Sequence, residues 1–247
     1  MNLLLINPHL DIRGTTDQIY KYALYNQSIL GNKSFIAAPS YTDLTSRSRF
    51  REAFGERVFI YDTWDDLQSF VDRNNIDVVY FLKYGTDDGK RLLNAKNVMH
   101  VVFDGSQPHG DQYAAVSKWL GERYNIPYVP HIVTLPKVTE DYREVLGIPD
   151  DAIVFFRHGG NTTFDLSYVH KAIYDVATLH KDKYFIFMNT NVFCDPLPNI
   201  IHVEPTIDQE IKRAFINTGN CYIHARSEGE SFGLAIVTGK QIGRAHV

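Results

Sequence analysis

Short apolar segments alternate along this chain with longer stretches whose apolar residues recur at helical spacing. In the first half, the apolar segments that predict strands are Leu3–Ile6, Ser34–Ala37, Val58–Tyr61, Val78–Leu82 and Val98–Phe103. The stretches that predict helices are Asp17–Leu30, Thr63–Arg73, Asp87–Leu93 and Gln112–Arg123. This alternation predicts right-handed βαβ units and a parallel sheet that is covered on both faces.

The pattern is interrupted once and then restarts. Three prolines in Ile126–Pro136 exclude a helix and predict an extended linker. The strands predicted after it are Ala152–Phe156, Tyr184–Met188, Ile200–Val203 and Cys221–His224. The predicted helices are Thr139–Leu146, Asp165–His180 and one that starts with a capping box, Thr206 to Gln209, and continues through Phe215. We therefore expect an α/β protein with two Rossmann-like, doubly wound parallel-sheet domains, 1–135 and 136–236.

Composition narrows the choice of partner and compartment. A hydrophobic share of 44% supports a packed core, and a formal net charge of -4 without a basic block argues against a nucleic-acid partner. With this net charge, we expect at most a peripheral contact with a membrane. The chain opens on a strand instead of a signal peptide, and Cys194 and Cys221 are too few for a disulfide framework. We expect a reducing, cytoplasmic setting.

Ligands of doubly wound sheets bind beyond the carboxyl ends of the strands, so the loops there are candidate sites. After Ile6, Gly14 and two threonines at a helix start offer backbone N–H groups to an anion or a sugar hydroxyl. An ordinary capped turn explains these residues equally well. After Phe103, His109 lies among aspartates and suits acid–base or orienting work, although a surface turn has the same composition.

Two loops of the second half carry more specific chemistry. After Phe156, Arg157 is followed by Gly159 and Gly160 and then by a helix, which combines three features of anion sites. After His224, the segment Arg226–Gly233 contains two carboxylates and two glycines around an aromatic residue. Carboxylates near backbone amides can hold the hydroxyls of a sugar or a ribose.

These motifs resemble those of retaining glycosyltransferases of the GT-B architecture, glycosyltransferase group 1 or family 4-like. Gly229–Ile236 is similar to the E-G-F-G element of that family, and Leu146–Arg157 is similar to its lead into the second domain. Ala114–Leu120 matches the helix that closes the first domain, and Val129–Val133 stands where a linker is usual. A bacterial and viral branch with PHL-x-x-RGTT, PHGD-x-YAAVS and HAR-x-GE-[ST]-FGLA elements is more similar still.

The resemblance implies transfer of a hexose from a UDP- or GDP-sugar to a glycan, lipid or protein-linked acceptor. It implies catalytic roles for His109, Arg157 and Glu230. The donor-binding residues that the resemblance implies are Gly14, Gly159, Gly160, Asn161, Thr162, Glu230, Ser231, Phe232 and Gly233. We expect no metal or other cofactor, because no Asp-x-Asp element follows a predicted strand.

Two departures from the family pattern keep alternatives open. The family usually has a Lys where this chain has Thr162, and a ribose-binding Glu where it has Thr238. A non-catalytic carbohydrate- or nucleotide-binding module with the same fold is therefore one alternative. A sugar-nucleotide epimerase on the same double-Rossmann plan is the other.

The last residues suggest a reason for the second departure. Ile242–Val247 is what the DNA string ATC-GGA-AGA-GCA-CAC-GTC encodes, and that string resembles a sequencing-library adapter. The family resemblance stops at Ile236. We therefore expect residues 237–247 to be non-native, as in an assembled environmental read, and the second domain to be incomplete.

Overall fold

The structure, a computed structural model, describes residues 1–241, 243 and 245–246, with side chains through 239 and at 243. The chain divides into two compact units, Met1–Ile132 and Val133–Val247. Of the expected non-native segment 237–247, residues 242, 244 and 247 lie outside the described residues.

The first unit is a parallel six-stranded sheet with helices between its strands. The strands are β1 (Asn2–Ile6), β2 (Lys33–Pro39), β3 (Val58–Tyr61), β4 (Val78–Lys83), β5 (Lys96–Val101) and β6 (Gln112–Ala115). The helices are α1 (Gly14–Ser28), α2 (Arg47–Phe54), α3 (Trp64–Arg73) and α4 (Lys118–Tyr124). The strand order β3-β2-β1-β4-β5-β6 is that of a Rossmann sheet.

The second unit repeats this plan with five parallel strands. They are β7 (Ile153–His158), β8 (Lys183–Met188), β9 (Ile200–Val203), β10 (Cys221–Tyr222) and β11 (Ala245–His246), in the order β11-β10-β7-β8-β9. The helices are α5 (Ser167–Leu179), α6 (Gln209–Thr218) and α7 (Leu234–Gln241). The predicted fold class, α/β with two Rossmann-like parallel sheets, is confirmed.

Each sheet is buried because its central strands are apolar on both faces. Leu4 of β1 and Val79 of β4 are fully buried, and they contribute to the core with Leu67 of α3. In the second unit, Val154 and Phe156 of β7 are fully buried against Phe215 of α6. Burial of one such large side chain stabilises a fold by about 1.5–3 kcal/mol.

The helix predicted at Asp87–Leu93 is wrong, because its carboxylates close turns instead of capping a helix. Asp87 Oδ1 accepts a hydrogen bond from Gly89 N at 2.9 Å, and Asp88 Oδ1 accepts one from Lys90 N at 3.2 Å. Gly89 has a φ of +71°, which ends any helical path there. Local side-chain bonds of this kind compete with helix formation.

Two other predicted helices differ from the structure. Residues 112–115 pair with β5, Val98 opposite Gln112, so the helix predicted over Gln112–Arg123 is a strand followed by α4. Ser117 caps α4 by accepting a hydrogen bond from Leu120 N at 3.2 Å. In place of the helix predicted over Thr139–Leu146, residues 139–141 have no regular structure, and a bend at 142 leads into turns over 143–147 that end at Gly147 with a φ of +64°.

The sequence pattern also misplaced the start of α6 and did not predict α2. The N-cap of α6 is Asp208, which accepts hydrogen bonds from Glu210 N and Ile211 N, so the capping box predicted from Thr206 is wrong. Helix α2 buries only Phe50 and Phe54, which both contact the Tyr20 ring edge-on. Two aromatic residues four positions apart were the available signal for this helix.

The proline-rich segment is extended, and its first part belongs to the first unit. Ala115 N donates to Pro127 O and Val129 N donates to Ala115 O, both at 2.8 Å. The Gln18 side chain donates to Ile132 O at 3.0 Å and accepts from Ile132 N at 2.9 Å. These bonds fix the segment up to Ile132 on the first sheet and on α1.

Candidate functional site

The second sheet has a switch point at its first strand. Strand β7 lies between β10 and β8, so the connections that leave β7 and β10 start side by side. Ligands of doubly wound sheets bind outside the carboxyl ends of the strands at such a point. The loops that carry the candidate site are therefore 159–166 and 223–233.

Arg157, near the end of β7, is buried, and its guanidinium organises the first of these loops. Nη2 donates to Thr163 Oγ1 at 2.7 Å and to Gly160 O at 3.1 Å, and Nη1 donates to Thr190 Oγ1. Among the described residues, its Nε has no hydrogen-bond partner. Burial lowers the pKa of Arg157, which nevertheless stays a cation. The predicted positive charge is thus present, directly against the glycine turn.

Gly159 and Gly160 form that turn, and Gly159 lies directly against the Arg157 guanidinium. A Cβ at Gly159 would lie 2.8 Å from Arg157 Nη2. Asn189 Nδ2 holds the turn from β8 by donating to Gly159 O at 2.6 Å. Asn161 and Thr162 are exposed. The turn therefore offers backbone and small polar groups to solvent while a buried cation lies against it.

Glu230 lies in the second loop beside the guanidinium of Arg226. Its Oε1 is 3.3 Å from Arg226 Nη1, and the Glu230 side chain is 27% exposed, enough to reach a ligand. Arg226 Nη2 also contacts Glu228 at 2.9 Å. Ser231 and Phe232 are half-buried, and Gly233, with a φ of +70°, leads into α7. A carboxylate placed in this way can accept hydrogen bonds from sugar hydroxyls.

His224, which the sequence analysis did not single out, faces Glu230. Its Nε2 is 3.8 Å from Glu230 Oε1 and, within the described residues, makes no hydrogen bond. Burial lowers the pKa of His224, and the Glu230 charge opposes that shift. The imidazole is therefore neutral at pH 7, and Arg226 supplies the charge that pairs with Glu230. The available signal was a histidine at the end of a predicted strand.

Thr238, where the resemblance leads one to expect a glutamate, is buried on α7. Its Oγ1 lies 3.3 Å from Nε2 of the buried His158 and donates to Ala235 O at 2.7 Å. Burial, with Lys212 and Arg157 nearby, lowers the pKa of His158 to about 3. Position 238 thus completes the environment of a neutral histidine.

In the first unit, the loop after β1 is tightly bonded within itself. The buried Asn7 donates to Thr16 Oγ1 at 3.0 Å, and that hydroxyl donates to Asp11 Oδ1 at 3.0 Å. Asp11 also contacts Arg13 Nε at 3.0 Å. Gly14 is the first residue of α1 and is exposed, as a helix N-terminus that binds an anion requires.

His109 lies in the connection between β5 and β6, with both ring nitrogens engaged. Nδ1 is 2.6 Å from Gln107 O and Nε2 is 3.2 Å from Lys83 Nζ. Because Lys83 can only donate, His109 Nε2 accepts and Nδ1 carries the proton. Lys83, the last residue of β4, also pairs with Asp88 at 2.7 Å. This lysine directly follows a buried apolar run and was not among the residues predicted from the sequence.

The structure brings some predicted site residues together and leaves others in a different unit. Arg157, the glycine turn and Glu230 share the carboxyl edge of the second sheet, where the Glu230 charge acts on the pKa of Arg157. Gly14 and His109 belong to the first unit, in which β4 lies between β1 and β5. Their roles toward a substrate stay predictions.

The described residues include neither a metal-binding cluster nor a membrane-spanning helix. Across 1–241, 243 and 245–246, no group of three or more His, Cys, Asp or Glu side chains is arranged to hold a metal ion. No helix in the same residues has the length and apolar character needed to cross a membrane. An open depression lined by Asn75, Asp77 and Lys96 lies at the amino ends of β4 and β5, away from the carboxyl-end loops.

Comparisons with known proteins give structural similarity alone. No family model and no curated protein matches the chain. An α-glucosyltransferase in complex with UDP and a 13-mer DNA containing an HMU base superposes with a TM-score of 0.60 at 10% identity, over 100% of this chain and 79% of the other.

Two further solved structures are similar in the same way. A candidate UDP-N-acetylglucosamine 2-epimerase from Listeria monocytogenes has a TM-score of 0.57 at 11% identity, over 90% of this chain and 73% of its own. An O-GlcNAc transferase mutant from Thermobaculum terrenum has a TM-score of 0.53 at 13% identity, over 100% of this chain and 52% of its own. The chain therefore has the GT-B fold, and the fold that the resemblance implied is confirmed.

Proposed function

We propose that the protein is a glycosyltransferase that moves a hexose from a nucleoside-diphosphate sugar to a glycan, lipid or protein-linked acceptor. One observation carries the proposal: a buried guanidinium beneath a glycine turn and a partly exposed carboxylate share the switch point of the second sheet. The first suits a diphosphate and the second suits sugar hydroxyls. Two of the structurally similar proteins, the α-glucosyltransferase and the O-GlcNAc transferase, are sugar transferases by name, which supports this choice.

Catalysis in this proposal is positional and electrostatic. The departing diphosphate gains negative charge as the bond to the sugar breaks, and the backbone amides of the glycine turn and the Arg157 charge stabilise it. Arg157 acts without reorganisation, because Thr163, Gly160 and Thr190 already hold its guanidinium. Glu230 holds the hexose in its reactive orientation. The entropic cost of that orientation is then met on binding and no longer adds to the reaction barrier.

Transfer can be tested with the full chain and a panel of UDP- and GDP-hexoses labelled in the sugar. We expect one donor to release nucleoside diphosphate and to label an acceptor glycan or lipid. Glu230→Gln should lower kcat/KM at least about tenfold, as the loss of one charge-assisted hydrogen bond does. Glu228→Gln is the matched control, because Glu228 contacts the same Arg226 but its side chain is 79% exposed. Equal losses in the two variants would contradict the role of Glu230.

An epimerase is the second candidate, and the similar Listeria monocytogenes structure favours it. The same labelled donors distinguish the two activities, because an epimerase converts the donor sugar without any acceptor. Conversion of the nucleotide sugar with no transferred label would replace our proposal. Binding without either product would instead indicate a non-catalytic module, for which Thr162 in place of a lysine is the argument.

A further inference from the structure

Asp165 joins the two loops of the candidate site although 62 positions separate it from its partner. Its Oδ1 accepts a hydrogen bond from Ser227 N at 2.8 Å, and its Oδ2 accepts one from Ser227 Oγ at 2.5 Å. Its own N donates to Ala225 O at 3.0 Å. Both carboxylate oxygens thus accept hydrogen bonds from a single residue of the other loop. We call this pair of side-chain contacts the Asp165–Ser227 clip.

The Asp165 carboxylate bonds to the other loop and not to the helix that follows it. Helix α5 begins at Ser167, and among the described residues its N-cap, Leu166, makes no side-chain cap. Asp165 precedes that N-cap residue, the position from which an aspartate would accept hydrogen bonds from the first backbone N–H groups of the helix. Asp165 accepts from the loop after β10 instead. The carboxylate therefore serves the arrangement of the two loops.

On one side, the clip leads to Glu230. Ser227 follows Arg226, whose guanidinium contacts the Glu230 carboxylate at 3.3 Å. Gly229 N donates to Arg226 O at 3.1 Å, and Gly229 has a φ of +67°, so residues 226–229 form a hydrogen-bonded turn that Glu230 directly follows. Fixing Ser227 fixes this turn and the direction in which Arg226 presents Glu230.

On the other side, the clip leads to Arg157. Phe164, next to Asp165, is buried, and the Arg157 guanidinium lies 5.1 Å from the centre of its ring. Phe164 and Ala225 pack in the same core cluster, so the two loops are also joined beneath the clip. A short stretch of chain thus contacts the cation of the site and fixes the loop that carries its carboxylate.

We propose that Asp165 is a positioning residue that, through Ser227 and Arg226, holds the Glu230 carboxylate where the donor hexose binds. This inference rests on the proposed function, in which Glu230 contacts the sugar and Arg157 the diphosphate. Loss of the clip should therefore weaken binding of a nucleotide sugar while sparing the nucleoside diphosphate alone.

Isothermal titration of the full chain with UDP, UDP-glucose, GDP and GDP-mannose tests this selectivity. For the nucleotide sugar that the wild type binds, Asp165→Ala should lower the affinity by about tenfold. For the matching nucleoside diphosphate, the affinity should fall by less than about twofold. Asp165→Asn keeps one oxygen for Ser227 N and an amide that can donate to Ser227 Oγ, so it should restore most of the affinity. Asp175→Ala, on the exposed face of α5, is the matched control.

A double-variant cycle shows whether Asp165 acts through Glu230. Glu230→Gln should reproduce the loss of Asp165→Ala, and the double variant should bind no more weakly than Glu230→Gln alone. Additive losses, or equal losses for the sugar nucleotide and the diphosphate, would overturn the positioning role. Should Asp165→Ala fail to fold, Ser227→Ala removes only the hydroxyl contact and should give a smaller loss with the same selectivity.

Hydrogen exchange followed by mass spectrometry separates failure of the clip from failure of the proposed function. Asp165→Ala should speed exchange in the peptide that contains residues 226–230, and Asp165→Asn should restore the protection. Unchanged exchange in Asp165→Ala overturns the clip even if transfer is observed. Wild-type protein that binds none of the four nucleotides overturns the proposed function, and the role of the clip in holding a donor sugar falls with it.

Discussion

His158 should make the second unit sensitive to mild acid. The residue ends β7, and burial lowers its pKa from 6.5 to about 3, so the folded state holds a neutral imidazole. In the unfolded chain, the same imidazole is protonated below about pH 6.5. The unfolded state therefore binds more protons between about pH 6.5 and 3, and the free energy of unfolding falls as the pH is lowered through that range.

The size of the effect follows from the two pKa values. Each pH unit below 6.5 removes about 1.4 kcal/mol, so the loss at pH 5 is about 2 kcal/mol from His158 alone. No such contribution is present above pH 6.5, where both states hold a neutral ring. His158→Gln removes the titration but keeps a donor for Thr238. It also loses ring packing against Tyr222, at a pH-independent cost of about 1–2 kcal/mol.

Urea unfolding followed by far-ultraviolet circular dichroism at pH 7.5, 6 and 5 measures the effect. Between pH 7.5 and 5, the wild type should lose about 2 kcal/mol more than His158→Gln. Trp64 and Trp119, the two tryptophans of the chain, both lie in the first unit, so their fluorescence is an internal control. His180→Gln, at an exposed histidine of the same unit, is the matched control for the substitution itself. Parallel pH curves for the wild type and His158→Gln would refute the reasoning.

Four further substitutions test other contacts. Gly85→Ala should destabilise the first unit by about 3 kcal/mol, because φ is +140° and a Cβ would lie 1.7 Å from a carbonyl oxygen of the next loop. Gly89→Ala, with a φ of +71° in open space, should cost about 1 kcal/mol in the same tryptophan-fluorescence assay, and equal costs would contradict the steric argument. Gln18→Ala should cost about 1–2 kcal/mol by removing both bonds to Ile132, and an unchanged urea midpoint would show that they contribute nothing. Arg157→Lys should weaken nucleotide binding about tenfold in calorimetry, because an ammonium cannot reproduce the planar fork, and wild-type affinity would disprove a role for its geometry.

Strands were easier to predict than the helices between them. The buried parallel strands are continuous apolar runs, and Val58–Tyr61 and Ile200–Val203 match the structure at both ends. The edge strand β6 is partly exposed, so its residues do not form such a run and were predicted as helix. The turn at Asp87 and Asp88 was predicted as a helix start, because an acidic pair looks the same before a turn as before a helix.

The candidate site was predictable as a set of loops but not as a set of contacts. Strand–helix alternation led to the loops that contain Arg157 and Glu230, because every parallel strand ends at the same edge. Alternation does not show that Arg157 is buried against its own glycine turn. It also cannot find the clip, because a contact between residues 62 positions apart depends on β10 returning beside β7. Such contacts are set by topology and not by local pattern.

The threonine at position 238 and the neutral state of His158 depend on each other. The Thr238 hydroxyl gives its proton to Ala235 O, so its free lone pair faces His158 Nε2 and favours the neutral tautomer with the proton on that nitrogen. A carboxylate at this position, which the family resemblance leads one to expect, would face the same nitrogen and stabilise the charged imidazolium instead. Thr238→Glu should therefore flatten the acid dependence that His158 confers. The pH series that tests His158 also tests whether position 238 serves the core of the second unit in this chain.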